Sequence, residues 1–209
     1  MKGLNLETRH KILSASQELF YKYGIRSVTM DDIARHLAMS KKTIYVHFRD
    51  KNEIIMRLTG MDLEGHKERF DAIKNSAPNA IEEIIGIMKN MEEMFSRMNP
   101  NVFYDLQKYH TEAWQLFKKF KTNYILGCVE ENINRGIKEG VYRKDLNISI
   151  IARMRIELVE LAFNPEAFPP SKFDVTKVQV ALLDHFLHGV VTLKGHKIIN
   201  TIKQVTEEE

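Results

Sequence analysis

Apolar residues recur at helical spacing along most of the chain, with polar positions between them. Ile12, Leu13, Ser16, Leu19, Phe20 and Tyr23 predict an amphipathic helix over 7–23, closed by Gly24. Two short helices follow, with Ile33, Ala34 and Leu37 on one face and Ile44 and Phe48 extending it across a turn. From Lys51 the pattern runs on through Ile54, Ile55, Leu58, Met61 and Leu63 toward Phe70. Ile81, Ile84, Ile85, Met88, Met91 and Phe95 then form a clean stripe, broken at Asn99-Pro100. A short helix over 101–109 and a long one over 111–138, ending at Glu139-Gly140, come next. Two further helices are expected at 147–163 and 174–193, separated by Asn164-Pro165 and Pro169-Pro170, and the tail from Val205 is expected to fray. Strand-like alternation is scarce, so the expected fold is all-α.

The segment from Thr29 to Lys51 carries the most specific signal. Thr29 precedes Asp32 by three residues, Ser40 precedes Lys41-Lys42-Thr43, and Asp50 precedes Glu53 by three. These are helix caps, two of them with an acidic residue at the third helical position. A capped helix, a tight turn and a second short helix bearing Lys, Thr, Tyr and His make the layout of a helix-turn-helix DNA reader. Charge agrees with it. Residues 1–60 hold eleven Lys/Arg against six Asp/Glu, a net +5, whereas the remainder nets −2. Polyanion binding accounts for that asymmetry.

Composition bounds the rest. With 44% hydrophobic and 28% charged residues the 209-residue chain is globular rather than disordered. The single Cys128 leaves no internal disulfide framework and no cysteine-based zinc finger. The first residues lack a signal peptide's apolar core, and no run approaches a membrane span, so a cytoplasmic location is expected without a membrane partner. No Gly-rich phosphate loop or catalytic acid pair appears, so an enzyme is not expected. His185 and His188 are three apart beside Asp184 but lack a further ligand, and neither a metal site nor a cofactor is expected.

Residues 9–58 resemble the N-terminal domain of the TetR family of bacterial transcriptional regulators. The matching elements are Ile12, Ala15, Leu19-Phe20 and Tyr23-Gly24, then Thr29-Met30-Asp31-Asp32-Ile33-Ala34, Ser40 through Phe48, and Lys51 through Ile55. Arg135-Gly136-Ile137-Lys138-Glu139-Gly140 resembles a helix ending common in that family's second domain. Ala38 departs from the pattern, standing where the family usually has Gly in the turn; a positive φ there would cost Ala on the order of 1 kcal/mol. The resemblance implies an all-α homodimer, with a helix-turn-helix domain at 1–57 and a helical effector-binding and dimerisation domain at 58–209.

Residue roles follow as expectations. Lys41, Lys42 and Thr43 would face base edges, Val46 would make an apolar base contact, and Tyr45 and His47 would meet phosphate. Thr29 and Lys51, at helix starts, would clamp phosphate, while Ser40 caps the recognition helix at the same surface. Met88, Met91, Phe95, Phe103, His110, Trp114, Phe117 and Tyr124 could line an effector pocket, though their spacing also suits an ordinary helical core. Leu158, Leu161, Leu183, Phe186, Leu187, Val190 and Val191 would pair with a second copy, the alternative being burial within one subunit. The expected function is an effector-responsive regulator, most naturally a repressor, on an inverted-repeat DNA site. The rival reading is a protein-interaction module on the same fold, which would have no need of the Lys41, Lys42, Thr43, Tyr45, His47 and Lys51 set.

Overall fold

The structure is a computed structural model that describes residues 2–99 and 101–204, with side chains from Asn5 onward. Eleven α-helices are defined among the described residues: α1 Lys2–Tyr23, α2 Met30–His36, α3 Lys41–His47, α4 Lys51–Ser76, α5 Ala80–Ser96, α6 Asn101–Tyr109, α7 Thr111–Phe120, α8 Leu126–Lys138, α9 Ile148–Leu161, α10 Val175–Val190 and α11 Leu193–Lys203. Among those residues no strand occurs, only one isolated bridge between Tyr142 and Val191. Pro100 and the Val205–Glu209 tail, to which the sequence assigned a helix break and fraying, lie outside the described residues.

Two helices differ from expectation. The long helix over 111–138 is interrupted by one wide π-helical turn, Lys121–Ile125. Lys121 sits in that turn, 4% exposed. Its ammonium meets Glu157 at 3.2 Å and also Glu160. Burial pulls the Lys121 pKa down, but the bonds to Glu160 and Glu157 outweigh it and hold it above the ordinary value. The expected terminal helix over 174–193 ends instead at Val190, and a separate α11 begins after it. Val191 is extended, and Thr192 caps α11 by accepting the Gly195 N–H at 3.2 Å.

The chain forms two compact units. The first comprises Met1–His66 and Phe95–Lys118. Its core joins Ile12, Leu13, Leu19 and Phe20 of α1 to Ile33 and Ala34 of α2, Ile44 of α3 and Phe48 just after it, Ile54, Ile55 and Leu58 of α4, Val102 of α6 and Ala113 of α7. Burying side chains of this kind contributes about 1.5–3 kcal/mol each, opposed by chain entropy. α1 stops at Gly24, whose φ of +82° closes the last turn with an N–H bond to the Phe20 carbonyl at 2.9 Å.

The second unit comprises Lys67–Met94 and Lys119–Glu209. Its core gathers Ile81, Ile84 and Ile85 of α5, Val129 and Ile133 of α8, Ile156 of α9, Leu183, Phe186, Leu187 and Val190 of α10, and Ile199 of α11. The Arg135–Gly140 segment organises it. Arg135 donates to Glu139 at 2.7 Å, to Glu83 at 3.0 Å and to the Ala77 carbonyl at 2.7 Å. Gly136 lies against the fully buried Tyr142 ring, where a Cβ would stand 2.1 Å from Cδ2. Gly140, at φ +72°, turns the chain out of α8.

Candidate nucleic-acid interface

α2 and α3 are seven residues each, too short to persist alone, and both are held by caps and by one buried face. At α2 a full capping box forms. The Thr29 N–H donates to Asp32 at 2.9 Å, and the Asp32 N–H donates to Thr29 Oγ1 at 3.2 Å. The Thr29 hydroxyl and N–H together hold the Asp32 carboxyl below its usual range. At α3 Ser40 Oγ accepts the Thr43 N–H at 3.0 Å.

The turn between them is a Schellman arrangement: the Met39 N–H reaches the Ala34 carbonyl at 2.9 Å and the Ala38 N–H reaches that of Arg35 at 3.2 Å. Ala38 has a φ of 51°, the left-handed region that favours glycine.

Ile44 and Phe48, both 0% exposed, fix the inward face of α3. Helical geometry then turns Lys41, Lys42, Tyr45 and Val46 outward, and all four are exposed. Val46 is 72% exposed, an apolar β-branched side chain with no core to fill. Thr43 and His47 are half-buried, the Thr43 hydroxyl lying 2.8 Å from Ser40 Oγ.

Lys42 has no ion-pair partner among the described residues. Lys41 does have one: its ammonium is 2.8 Å from Asp31, and that bond raises the Lys41 pKa.

Lys51 is held differently from a free phosphate clamp. It is half-buried, and its ammonium donates to the Ile25 and Val28 carbonyls, each at 2.9 Å. Burial lowers its pKa. The expected capping box at the start of α4 forms by half. The Glu53 N–H donates to Asp50 at 2.9 Å, but the Glu53 carboxylate reaches past Asp50 to the Arg49 N–H at 2.9 Å.

Arg9 was not singled out by sequence reasoning. Its guanidinium donates to the His47 carbonyl at 2.8 Å, lies 4.5 Å over the Phe48 ring and meets Glu53 at 3.4 Å. A cation at a helix C-terminus is favourable, but a partner thirty-eight residues away leaves no local spacing signal.

The expected pocket residues fall in both units. In the first, Phe95, Phe103, Phe117 and Trp114 form a chain of rings. Phe103 meets Phe95 edge-on at 5.5 Å and Phe117 at 6.3 Å, and Trp114 stacks on Phe117 at 4.9 Å. Phe95 and Trp114 are 5% and 4% exposed, so they act as core. His110 does not share their surroundings. Its Nδ1 lies 2.8 Å from Asn52 Oδ1, in a cavity of about 280 Å3 lined also by Arg49, Ile55, Met56, Tyr109 and Glu112. Burial lowers the His110 pKa, and Lys51 lowers it further. In the second unit, Met88 and Met91 are half-buried, Met88 against the core. Tyr124 donates to Asp71 at 2.8 Å, and burial together with that bond pushes its pKa far up.

The expected dimer residues need correction. Leu183, Phe186, Leu187, Val190 and Val191 are 2–4% exposed within one chain, in the core that Val129, Ile133 and Ile199 complete. They have no surface left for a second copy. Leu158 is half-buried and Leu161 is 38% exposed. With Ile150 at 62% and Met154 at 45%, they make an outward apolar line along α9 at four-, four- and three-residue steps.

Among the described residues no group of three or more His, Cys, Asp and Glu could hold a metal ion, and no helix is long and apolar enough to cross a membrane.

A family model described as bacterial regulatory proteins, tetR family, matches residues 12–58. The chain is 22% identical over 184 residues to an uncharacterised helix-turn-helix regulator, YvaF of Bacillus subtilis, covering 86% of this chain and 94% of that one. It is 26% identical over 152 residues to the transcriptional repressor KstR2 of Mycobacterium tuberculosis, covering 69% and 74% respectively. Its fold is similar to that of a transcriptional regulator from Saccharomonospora viridis in complex with choline, with a TM-score of 0.67 at 19% identity over 89% of this chain and 98% of that one.

Proposed function

Since the chain belongs to the TetR family of bacterial transcriptional regulators, DNA-binding proteins rather than enzymes, we propose that it is a repressor that reads an inverted-repeat operator as a homodimer and is released by a small-molecule effector. In this reading residues 1–57 are the DNA-binding head and 58–209 the effector-binding and dimerisation body. The observation that carries it is α3: buried Ile44 and Phe48 on one side, exposed Lys41, Lys42, Tyr45 and Val46 on the other. Lys ammonium groups donate to guanine O6 and N7, and a branched apolar side chain packs on a thymine methyl. Tyr45, His47 and the Thr29 end of α2 supply phosphate contacts.

The α9 line of Ile150, Met154, Leu158 and Leu161 supports pairing with a second copy, since an exposed apolar line on a helix is stabilised by being covered. Two-fold symmetry then sets two α3 helices on half-sites about 34 Å apart, one turn of DNA. An effector that binds more tightly to a dimer whose heads no longer match that spacing releases the DNA; one with equal affinity for both states changes nothing.

The experiment is selection of bound duplexes from a random pool at near-physiological salt, followed by addition of metabolite extract. Enrichment of one inverted repeat, lost on addition of extract, is the expected result. Weak, salt-sensitive binding without enrichment, with and without extract, would overturn the operator reading and favour a protein-interaction role.

A further inference from the structure

The second unit buries a positive charge that has no ion-pair partner among the described residues. Arg155, on α9, is 6% exposed, and its Nη1 is buried without a hydrogen-bond partner. The face of Phe186 lies 5.8 Å from the guanidinium carbon. The carboxylates nearest in sequence on the same helix, Glu157 and Glu160, are committed to Lys121. Burial pulls the Arg155 pKa down to about 10. An isolated charge in such surroundings is costly, and one that is kept calls for a partner that the described residues do not supply.

A second atom on the same seam is also left over. Gln179, on α10 and 5% exposed, donates Nε2 to the Val159 carbonyl at 2.9 Å. That carbonyl can only accept, so the amide orientation is fixed and Oε1 faces elsewhere, buried and without a donor. Val159 is one turn beyond Arg155 on α9, about 6 Å along the axis. A bond between Gln179 and Arg155 would use one guanidinium donor of five and leave the charge without a counter-ion. A carboxylate on the surface of another molecule does not reach a side chain buried to this degree.

We propose that the seam between α9 and α10 is a binding site for an amphiphilic organic anion, its acidic group on the Arg155 guanidinium, a hydroxyl or amide donor on Gln179 Oε1, and its apolar body against Phe186. The fork of Arg155 donors matches a planar carboxylate. The apolar body follows from the lining, because Ala152, Ile156 and Val159 around Arg155 are buried. The inference deepens the effector reading and rests on it for its regulatory meaning.

The test uses the full chain and two probe series, straight-chain carboxylates from hexanoate to tetradecanoate and the matching primary alcohols, read by calorimetry and thermal unfolding. The carboxylates are expected to raise the thermal midpoint of the wild type by about 5 °C or more at a hundredfold excess over the dissociation constant, and the alcohols are not. Arg155→Met is expected to fold with an unchanged or higher midpoint without probe and to bind carboxylates at least about tenfold more weakly. Arg155→Lys, which keeps the charge without the fork, is expected to bind at an intermediate level. Equal binding of alcohols and carboxylates, no binding of either series, or carboxylate binding unaffected by both substitutions overturns the proposal. So does a lower midpoint for both variants without probe, which would make Arg155 a structural residue. DNA release is scored separately. Carboxylate binding through Arg155 with unchanged operator affinity keeps the site and removes its regulatory role. Release by other compounds with no binding at Arg155 keeps the regulator and removes the site.

Discussion

Arg9, in the middle of α1, donates to the carbonyl of His47, the last residue of α3, at 2.8 Å. The same guanidinium covers the ring of Phe48. One side chain thus closes the C-terminus of the short helix that carries the candidate base contacts. Arg9→Ala is expected to cost about 1–2 kcal/mol of stability and to weaken DNA binding by more than loss of one distant charge would. Urea unfolding beside operator titration checks this; unchanged values in both would remove the capping role.

Ala38 offers a gain. At φ 51° glycine is the unstrained residue, and Ala38→Gly is expected to stabilise the chain by about 1 kcal/mol. Thermal unfolding reads it as an upward shift of a few degrees. A fall would mean that the wider freedom of glycine in the unfolded chain outweighs the relief of strain.

Lys42 and Lys51 are expected to separate by assay. Lys42→Ala should lower operator affinity by about 1 kcal/mol or more and relax specificity, with little change in stability. Lys51→Ala should lose about 1–3 kcal/mol of stability, because two loop carbonyls lose their donor. If Lys51→Ala instead leaves stability intact and only flattens the salt dependence of DNA binding, it is a phosphate clamp after all.

His110 gives the pH dependence a sign. Its folded pKa lies below the ordinary imidazole value of 6.5, first through burial and then through Lys51. The unfolded chain therefore binds more protons in the window between the two. Stability is present above about pH 6.5 and is lost as pH falls through the folded value. Asp105 opposes the shift. His110→Gln is expected to flatten the profile of unfolding midpoint against pH in that window. An identical profile in the variant would move the effect to another group.

Gly136→Ala is expected to be severely destabilising, about 3 kcal/mol or more, because the added carbon would fall 2.1 Å from the Tyr142 ring. Tyr142 is fixed by Asn132 at 3.1 Å and the Ala80 carbonyl at 3.2 Å, so it cannot step aside cheaply. Expression and thermal midpoint report this directly.

The helix-turn-helix was legible because its signals are local. Thr29, Ser40 and Asp50 announce helix starts, and the Ile33, Ala34, Ile44 and Phe48 spacing gives the buried face. What lay beyond reading depends on contacts remote in sequence. No pattern within α3 announces Arg9, and Lys51 looks free until the loop carbonyls of Ile25 and Val28 come to it. The α10 residues expected at a dimer interface turned out buried within one chain for a related reason. Apolar residues on two faces of α10 demand two partners, and the core of the same chain takes up the residues assigned to a second copy. α11 itself was hidden by Gly195 and by the lysines around it, although Thr192 marks its start. The π turn at Lys121 carries a buried ammonium bonded to Glu157 and Glu160 of α9, contacts remote in sequence that helical periodicity does not encode.

Under the proposed base contact of Lys41, its pair with Asp31 would make DNA recognition an exchange rather than an addition. The ammonium that would reach a base edge already has a carboxylate 2.8 Å away. A duplex must offer it an acceptor at least as good at the right height in the groove, or Lys41 stays on Asp31 and turns away. Sequence discrimination at that position then rests on an internal competitor, and removing Asp31 would leave a protein that grips DNA more tightly while distinguishing less among sequences.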